Sequence, residues 1–432
     1  MYSCGVTVYD KCHIGHARSL CVFDMMRRYL KYRGYNVRFV RNITDVDDKI
    51  INKGKELSKS FDDVVRENID AYRRDLKNLS VDEADIEPRA TEYIPKMVVF
   101  IEKLIKKGFA YESNGDVYYS VRKFEDYGKL SGQSIDQMIE ATRIEQDPNK
   151  RDPLDFALWK GVKEDEKSWP SPWGKGRPGW HIECSCMSMN ELGSDRIDIH
   201  AGGRDLIFPH HENEIALSEA LTGNKPFAKY WIHHGLLTIN GQKMAKSLEN
   251  FITLDEVFER YSSDVLKLFF LQSHYASPVD FSWERMEEVK KAYDRINILI
   301  EKLPEAGQGP RTPLLSRDEF QSAMDDDFNT PKALSVVFDF VNECNKVIES
   351  GEEGKEAALQ EAASFLVEVS GIFGFNFIKK KELSQEEQEL LNGRIEARKN
   401  KDFKRSDELR DLLQDKGITV EDTKNGQIWR RA

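Results

Sequence analysis

The sequence predicts an α/β protein that begins with a parallel sheet, and two observations support this prediction. Val6 and Val8 alternate with other residues near the start of the chain, as in a strand, and an amphipathic segment follows up to Gly34. The apolar side chains of that segment recur at helical spacing: Leu20, Phe23, Met26 and Leu30. A second strand is predicted at 36–42 from the alternation of Val37 and Phe39. Strand, helix and strand in this order form the unit from which parallel sheets are built.

Composition limits the class of protein. The 432 residues are too many for one core, so several domains are expected. Because no uninterrupted apolar run approaches the ~18–20 residues of a membrane span, we expect a cytoplasmic protein without membrane contact. The net charge of −11 argues against indiscriminate nucleic-acid binding, although it does not exclude a local basic surface. Six scattered cysteines favour buried thiols or metal ligands over a disulfide framework.

The loop between the first strand and its helix contains His13, Gly15 and His16. Backbone N–H groups and the positive end of a helix dipole face such a loop, which is how many α/β folds bind phosphate. The two imidazoles can donate further hydrogen bonds to a phosphate whose charge is changing. Histidines at this spacing are also common as surface residues or as hydrogen-bonded core residues, so the motif alone leaves both interpretations open.

An acidic cluster follows the second predicted strand, where ligand-binding loops of parallel sheets lie. It contains Asp45, Asp47 and Asp48, which fit equally well the acid-rich N-terminus of a helix. Residues from about 58 to 107 are predicted to be mainly helical, and Asn114-Gly115 indicates a hairpin that interrupts the sheet.

The stretch 152–179 is rich in Trp, Pro and Gly and predicts an irregular but rigid loop. Strand alternation returns at 196–200. A helix with Pro209 in its first turn is then predicted to end at Gly223.

His210 and Glu214 are four residues apart on that helix, so their side chains share one face and can converge on one ion. Cys4 and Cys184 lie in loops after or within strand-like segments and can complete the coordination. Two thiolates, an imidazole and a carboxylate suit zinc. His211 and Cys186 are close enough in sequence to be rival ligands, and separate buried cysteines beside a helix surface pair remain the alternative.

Residues 236–247 combine a predicted strand, an Asn-Gly turn and two lysines, Lys243 and Lys246. A mobile cationic loop of this kind can neutralise a polyphosphate in a transition state. Exposed lysines on a loop are more often only solvated. Thr253 and Glu256 then form a capping box that opens a helix.

The last part of the chain is predicted to be helical and then basic. A Pro- and Gly-rich linker at 304–313 precedes helices at 316–324, 330–350 and 355–373. Residues 394–405 of the tail include only two acidic residues, Glu396 and Asp402. The same window contains six basic residues: Arg394, Arg398, Lys399, Lys401, Lys404 and Arg405. A hairpin with Trp429 follows. Basic residues beside an aromatic side chain can bind unstacked bases, whereas the alternative is a solvated amphipathic helix.

Taken together, these motifs resemble a known family. Cys-His-Ile-Gly-His at 12–16, followed by Lys-Met-Ala-Lys-Ser at 243–247, resembles the motif pair that defines class I aminoacyl-tRNA synthetases. The stretches 1–10, 171–185 and 208–214 resemble the cysteinyl-tRNA synthetases, and the likeness extends along essentially the whole chain. This resemblance implies adenylation of L-cysteine by ATP, with Mg²⁺ expected, and transfer of the cysteine to the terminal ribose of tRNA(Cys).

The resemblance also implies roles for individual residues. His13, Gly15, His16 and Lys246 would bind ATP. Catalysis would involve both histidines together with Lys243 and Lys246, and Lys246 would steady the leaving pyrophosphate. One zinc ion per chain would be held by four ligands: Cys4, Cys184, His210 and Glu214. Three further residues match positions near the amino acid: Thr44, Trp180 and Asp205.

The implied fold is a Rossmann-like parallel-sheet catalytic domain with a small inserted domain, followed by a helical bundle and a small C-terminal α+β module. The two halves of the catalytic domain would be 1–108 and 179–240, separated by an inserted connective domain at 109–178. The remaining parts would be a stem-contact region with the lysine loop at 241–303, the bundle at 314–378 and an anticodon-binding module at 379–432. We expect a monomer.

A zinc site would account for selection of cysteine without an editing domain. Ordinary contacts reject a near-isostere such as serine by only about 10²-fold. Zinc distinguishes the two by bond type, because a hydroxyl is a hard and weakly acidic ligand compared with a thiolate. Since four protein ligands usually close a zinc site, our hypothesis is that the substrate sulfur joins as an extra ligand and that Glu214 is the most readily loosened.

The sequence departs from the family pattern at a few positions. Val6 stands where proline is usual and Ala245 where serine is usual, and neither change removes a charge or a ligand. The chain begins three residues before Cys4, and a chain end is expected to fray.

Two other functions compete with this interpretation. A related ligase uses the same adenylate chemistry to join cysteine to an amino sugar, but it would not need the basic C-terminal module. A non-catalytic, zinc-containing RNA-binding protein would not need His13, His16, Lys243 and Lys246.

Overall fold

The structure is a computed structural model that describes residues 1–141, 147–162, 166–244, 248, 250–304, 306, 315–350, 355–377, 383–423 and 426–431. Lys246, expected to steady pyrophosphate, lies outside the described residues. The chain forms two compact units. The first comprises Met1–Ile296 and Pro304–Asn376, and the second comprises Asn297–Leu303 and Phe377–Ala432.

The strands and helices of the described residues are numbered in chain order. The strands are β1 Tyr2–Ser3, β2 Val40–Arg41, β3 Ala110–Ser113, β4 Asp116–Tyr119, β5 Phe156–Gly161, β6 Gly176–Pro178, β7 Ile197–Gly203, β8 Ala228–His234, β9 Leu237–Ile239, β10 Gln242–Lys243, β11 Val279–Phe281, β12 Ile418–Thr423 and β13 Gly426–Arg431. The helices are α1 Ile14–Tyr32, α2 Asp48–Leu57, α3 Phe61–Asn78, α4 Ile94–Lys106, α5 Ile135–Ala141, α6 Trp180–Leu192, α7 Glu212–Thr222, α8 Leu254–Phe258, α9 Ser263–Leu271, α10 Trp283–Lys302, α11 Leu315–Asp325, α12 Thr330–Ser350, α13 Glu356–Phe373, α14 Gln385–Lys399 and α15 Phe403–Asp415. Among these described helices, none combines the length and the apolar character needed to cross a membrane.

A parallel sheet lies at the centre of the first unit, in the strand order β2-β1-β7-β8. Parallel bridges from Val40 to Ile86 and from Ile43 to Arg89 add another extended segment outside β2. Helix α1 connects β1 to β2 as the sequence predicts, and buries Leu20, which is one of its regularly spaced apolar residues. The predicted α/β class with a parallel sheet is confirmed.

The start of the chain is an internal part of this sheet. Tyr2 and Ser3 pair with β2 on one side and with β7 on the other, and Tyr2 is fully buried. The expectation that Cys4 sits in a frayed terminus is therefore wrong, because Cys4 directly follows a central strand.

The strand is also earlier and shorter than its sequence pattern predicts. The segment with Val6 and Val8 forms only an isolated bridge, between Thr7 and Thr44. A Cβ at Gly5 would lie 1.5 Å from the carbonyl oxygen of Asn42, so glycine is required where the two segments meet.

The insertion between α4 and α6 is an antiparallel sheet in the order β3-β4-β5-β6. Its first turn has positive φ angles of 54° at Asn114 and 86° at Gly115, which confirms the predicted hairpin. The prediction of an irregular loop at 152–179 is wrong in part, because β5 and β6 lie within it. The ring of Trp159 is fully buried there, and burying a large apolar side chain stabilises a fold by roughly 1.5–3 kcal/mol.

Two helices after this insertion position the proposed metal ligands. Cys184 lies on α6 rather than in a strand-like loop, so that part of the prediction is wrong. His210 lies in a separate helical turn, Ile207–His211, which is kinked at Phe208 and leads into α7. Helix α7 ends at Gly223 with a φ of 77°, as predicted.

A small sheet of order β10-β9-β11 follows the parallel sheet. The predicted Asn-Gly turn joins β9 to β10, with φ angles of 49° at Asn240 and 75° at Gly241. Both the Thr238 hydroxyl and the Gly241 N–H donate to Asp280 on β11, at 2.6 and 2.7 Å. The capping box at Thr253 is also confirmed, and it begins α8.

The helices predicted after the linker are confirmed as α11, α12 and α13. Aromatic rings pack between them, with Phe320 5.9 Å from Phe365 and 5.5 Å from Phe373 between ring centroids. The second unit contains α14, α15 and the predicted hairpin β12-β13. Its core comprises Leu391, Leu413, Ile418 and Val420.

Candidate active site

Four residues from three separate segments converge where β1 ends. The ligand atoms of Cys4, Cys184, His210 and Glu214 all lie within 4.8 Å of one another. The Cys4 and Cys184 sulfurs are 3.9 Å apart, the Cys4 sulfur is 3.8 Å from Glu214 Oε1, and that oxygen is 3.0 Å from His210 Nε2. The structure therefore brings together the set expected from the sequence.

The spacing of these atoms fits zinc. Zn–S bonds of about 2.3 Å at a tetrahedral angle put two thiolate sulfurs about 3.8 Å apart, and Zn–N and Zn–O bonds put nitrogen and oxygen about 3.3 Å apart. The observed separations of 3.9 Å and 3.0 Å are close to both values. A set of two sulfurs, one nitrogen and one oxygen, in which Cys4 is partly exposed and the other three residues are buried, is thus compatible with this ion in chemistry and in size.

Interactions within the cluster shift the pKa values of its four residues in different directions. The hydrogen bond from Cys4 lowers the pKa of Cys184 to about 6 against the effect of burial, whereas burial raises the pKa of Cys4. Burial alone would lower the pKa of His210, but the Glu214 carboxylate raises it to about 10. Burial alone would raise the pKa of Glu214, but the His200 and His210 imidazoles hold it well below its usual range.

A second group of residues overlaps the first and was not predicted in full. Cys4, His200, His211 and Glu214 also have their ligand atoms within 4.8 Å of one another. His200 Nε2 is 2.8 Å from Glu214 Oε2, and His211 Nε2 is 3.3 Å from the Cys4 sulfur. The other ring nitrogen of His211 is 2.8 Å from His233 Nε2. His211 is thus still a rival ligand by distance, and Cys186 belongs to neither group of described residues.

His200 was missed because its strand pattern indicated only a sheet residue. It is fully buried on β7, and Gly202 and Gly203 follow it. A Cβ at Gly202 would lie 2.7 Å from the His211 ring, so a glycine leaves the space that this ring occupies. The signal that the sequence offers here is a histidine in a strand pattern, shortly before two glycines.

Hydrogen bonds link Thr44 to the candidate metal cluster, which is the set of Cys4, Cys184, His210 and Glu214. The Gly5 N–H donates to Asn42 Oδ1 at 2.9 Å, and Asn42 Nδ2 donates to Thr44 Oγ1 at 3.1 Å. The Thr44 hydroxyl then donates to Glu183 at 3.2 Å, and Glu183 is the neighbour of Cys184 in sequence. Burial raises the pKa of Glu183. This network places Thr44 beside the cluster and fixes the direction of its hydroxyl.

The other two residues expected near the amino acid lie on nearby elements. Trp180 begins α6, is 41% exposed and stacks on His210 with ring centroids 4.4 Å apart. Asp205 lies in the short helical turn after β7, where a Cβ at Gly203 would be 2.4 Å from its Oδ1 and 3.5 Å from the His234 ring. Trp180 therefore borders the metal cluster, and Asp205 is near the end of β8.

His13 and His16 form the N-terminus of α1. The Gly15 and His16 N–H groups donate to His13 Nδ1 at 3.0 and 3.4 Å, and the His13 N–H donates to His16 Nδ1 at 3.3 Å. The two rings stack with centroids 3.7 Å apart. Burial lowers the pKa of His16 to about 3, so this ring is neutral at ordinary pH.

The lysine segment lies against this histidine loop. A Cβ at Gly15 would be 2.8 Å from His13 Cε1 and 3.5 Å from the methyl carbon of Met244. Downstream, the Ile14 N–H donates to the Ile252 carbonyl, and the Leu254 N–H donates to the Cys12 carbonyl, both at 3.2 Å. The two motifs are thus adjacent despite their distance in sequence.

Lys243, on β10, is exposed at the edge of this arrangement. Lys246, the other lysine of this segment, lies outside the described residues.

The basic window of the second unit, residues 394–405, has fewer exposed and unpaired basic side chains than its composition predicts. Arg394 is 1% exposed and pairs with Asp422 at 3.0 Å, and Arg398 pairs with the same carboxylate at 2.9 Å. Hydrogen bonding from Arg394 lowers the pKa of Asp422. Arg394 therefore adds no exposed charge to this window, whereas Lys399, Lys401 and Lys404 are exposed.

Solved structures share the fold. A methionyl-tRNA synthetase from Mycobacterium tuberculosis, in complex with methionyl-adenylate, matches with a TM-score of 0.63 at 14% identity, covering 86% of this chain and 89% of that chain. A putative arginyl-tRNA synthetase from Campylobacter jejuni matches with a TM-score of 0.59 at 14% identity, covering 89% and 93%. At this identity the likeness concerns the fold, which is that of a class I aminoacyl-tRNA synthetase.

Sequence comparison defines the family. Three family models match: the class I (C) tRNA synthetase catalytic domain at 1–291, the DALR domain at 319–377 and the cysteinyl-tRNA ligase anticodon-binding domain at 380–430. Cysteine–tRNA ligases of Sulfurihydrogenibium sp. and Persephonella marina are 51% and 50% identical, each alignment covering 100% of this chain and 95% of the relative. The ligase of Aquifex aeolicus is 49% identical, with coverage of 100% and 94%. The chain belongs to the cysteine–tRNA ligase family of class I aminoacyl-tRNA synthetases, as the sequence motifs predict.

Proposed function

We propose that this enzyme ligates L-cysteine to tRNA(Cys) through a cysteinyl-adenylate, with one zinc ion that recognises the substrate thiolate. The observation that carries the proposal is the convergence of Cys4, Cys184, His210 and Glu214, beside Thr44 and Trp180. Zinc held by these four residues would supply a soft Lewis-acid contact that favours a thiolate over a hydroxyl.

Outer residues support the assignment of His210 rather than His211 as the histidine ligand. His181 Nδ1 lies 3.1 Å from His210 Nδ1, on the ring edge opposite to Glu214, where a ligating histidine usually has its second partner. His200 binds the outer oxygen of Glu214 and so orients that carboxylate. His211 also has a second partner, His233, but its Nε2 is 4.0 Å from Glu214 Oε1, against 3.0 Å for His210 Nε2. His211 would therefore act as a neighbour of the Cys4 sulfur.

Thr44 and Trp180 would position the amino acid. The Thr44 hydroxyl proton is directed to Glu183, and its oxygen accepts one hydrogen bond from Asn42. A hydroxyl oxygen has two lone pairs, so one remains to accept a hydrogen bond from the substrate ammonium group. The exposed part of the Trp180 ring would cover the substrate. We propose Asp205 as a further contact of the amino acid.

His13 and His16 would donate hydrogen bonds to the phosphates of ATP. Each Nδ1 accepts backbone N–H groups and therefore has no proton, which puts the proton of a neutral ring on Nε2. The Nε2–H groups would face the α-phosphate as the cysteine carboxylate attacks it and pyrophosphate leaves. Donors held by the backbone need no reorganisation when charge develops, and this is how such groups lower a barrier.

Lys243 and Lys246 would stabilise the negative charge of the pyrophosphate, with Mg²⁺ bound to the nucleotide. Gly15 would allow the phosphates to approach the N-terminus of α1. In the second step the terminal ribose of the tRNA takes the cysteinyl group from the adenylate and AMP is released. The anticodon-binding domain at 380–430 favours this acceptor over an amino sugar.

Two activity assays and a metal analysis on one sample test the proposal. Cysteine-dependent ATP–pyrophosphate exchange and charging of tRNA(Cys) are measured, and metal content is determined on the same protein. We expect one zinc per chain, exchange with cysteine but not serine, and charging. Exchange without charging would indicate another acceptor, and metal-free protein with full activity would contradict the zinc assignment.

A further inference from the structure

Arg18, on α1, occupies an unusual environment for a buried cation. Its side chain is 1% exposed, and in the described residues its four hydrogen bonds all go to backbone carbonyls. A buried charge is costly to desolvate, and the opposite charge that normally offsets this cost is replaced here by four neutral dipoles. Such an arrangement fixes the two backbone segments that supply the carbonyls.

Those two segments lead into the small sheet that carries Lys243. Arg18 Nη1 donates to the Gly235 and Leu236 carbonyls at 2.7 and 2.9 Å, immediately before β9. Arg18 Nη2 donates to the Tyr275 and Ser277 carbonyls at 3.1 and 2.5 Å, just before β11. One planar guanidinium therefore binds the backbone carbonyls just before both strands, a geometry that lysine cannot reproduce.

The two segments also touch each other at a position where only glycine fits. A Cβ at Gly235 would lie 2.2 Å from the Ser277 carbonyl oxygen, and the Gly235 N–H donates to the Tyr275 carbonyl at 2.8 Å. The neighbouring Ser19 adds a second contact from α1, because its Oγ lies 2.5 Å from His234 Nε2. Residues 235–236 and 275–277 together form a junction before β9 and β11. The contact between α1 and this junction is thus supported by independent observations.

The same helix that holds this junction presents His16 two residues earlier. From the junction, β9 pairs with β10, where Lys243 faces Thr238 across the ladder. We propose that Arg18 is a positioning residue that fixes the lysine-bearing sheet relative to the phosphate-contacting histidines. This inference rests on the proposed function of Lys243 and the histidines, and it assigns to Arg18 no contact with substrate.

Arg27 provides a matched control on the same helix. It is 5% exposed and donates to the Glu83 carbonyl at 2.6 Å and to the Asp85 carboxylate at 2.8 Å, so it is buried as Arg18 is, with one backbone partner and one charged partner. Arg18→Lys and Arg27→Lys should lower the thermal midpoint to a similar extent. Only Arg18→Lys should lower kcat for cysteine-dependent pyrophosphate exchange, by about 10²-fold, because a displacement of about 1 Å at a reacting group has an effect of that size.

The readouts separate positioning from folding. In Arg18→Lys we expect unchanged zinc content, an unchanged KM for cysteine and faster amide hydrogen exchange in β9 and β11, with β7 still protected. Gly235→Ala should reproduce this pattern from the other side of the junction. Normal kcat in Arg18→Lys, or equal kcat losses in the two lysine variants, would overturn the inference. Absence of exchange in the unmutated enzyme would instead refute the proposed function.

Discussion

The candidate metal cluster and the motifs proposed to contact phosphate are built in different ways. Cys184, His210 and Glu214 are at most 2% exposed, and hydrogen bonds connect them to histidines and to Thr44. The phosphate-contacting part instead joins two backbone segments far apart in sequence, and Lys243 on one of them is exposed. Under the proposed function, the amino-acid side of the site is preorganised in a buried network, whereas the nucleotide side depends on how two segments meet.

This difference has a consequence for mutations. A change in the buried cluster should remove the metal and reduce stability together, since a buried group that loses its partner is costly. A change in the lysine segment should reduce the rate and leave folding and metal content intact, since an exposed lysine contributes little to stability. The following predictions test the distinction, beginning with the largest effect.

Cys184→Ser should abolish stoichiometric zinc and reduce cysteine-dependent exchange by about 10³-fold, because a thiolate ligand and the Lewis acid are lost together. Cys186→Ser is the matched control, two residues along the same helix and equally buried. It should retain zinc and activity. Metal analysis with exchange kinetics checks both variants, and loss of zinc in Cys186→Ser alone would reverse the ligand assignment.

Lys246→Ala should lower the rate of adenylation by at least ~10²-fold through lost stabilisation of the pyrophosphate charge. Zinc content and the thermal midpoint should not change. Lys229→Ala, which removes an exposed lysine paired with Asp198 on the parallel sheet, is the control and should have normal exchange. Near-normal exchange in Lys246→Ala would contradict its assigned role.

His16 should make the protein sensitive to acid. Burial lowers its pKa to about 3, whereas an unfolded histidine titrates near 6.5, so between these values the unfolded chain binds a proton that the folded chain does not. The free energy of unfolding should therefore fall as the pH drops from about 6.5 to 3, by up to ~1.4 kcal/mol per pH unit from this residue. Denaturant titrations across this range should show a smaller slope in His16→Asn, and an unchanged slope would contradict the buried neutral ring.

Arg398→Ala combined with Lys399→Ala should weaken tRNA binding modestly and reduce its salt dependence, with exchange unaffected. The effect should be the smallest, because Arg398 is already paired with Asp422. Lys103→Ala with Lys106→Ala, on α4, is a control of equal charge change. The affinity for tRNA measured at several salt concentrations tests this prediction. An equal loss of affinity in both double variants would point to a nonspecific charge effect.

Sequence reasoning succeeded where chemistry and local spacing carry the information. His13 and His16 are close in sequence, and a helix after the glycine loop forces their rings to its N-terminus. His210 and Glu214 remain near each other because the kink at Phe208 lies before both residues, so i and i+4 stay on one side of the helical turn.

It failed where tertiary contacts decide. His200 joins the metal cluster only because β7 lies beside β1, and a two-residue alternation contains no such information. The burial of Arg394 could not be predicted because its partner, Asp422, is a distant residue on another element. Trp159 and its neighbours became strands instead of a loop because burial of large rings outweighed local Pro and Gly signals.

The most direct test of the zinc-thiolate account is X-ray absorption at the zinc edge of the enzyme, with and without L-cysteine. The account predicts that the number of sulfur atoms bound to zinc increases by one when cysteine is added, and that serine leaves it unchanged. An unchanged sulfur count with saturating cysteine would contradict recognition of the substrate by its thiolate.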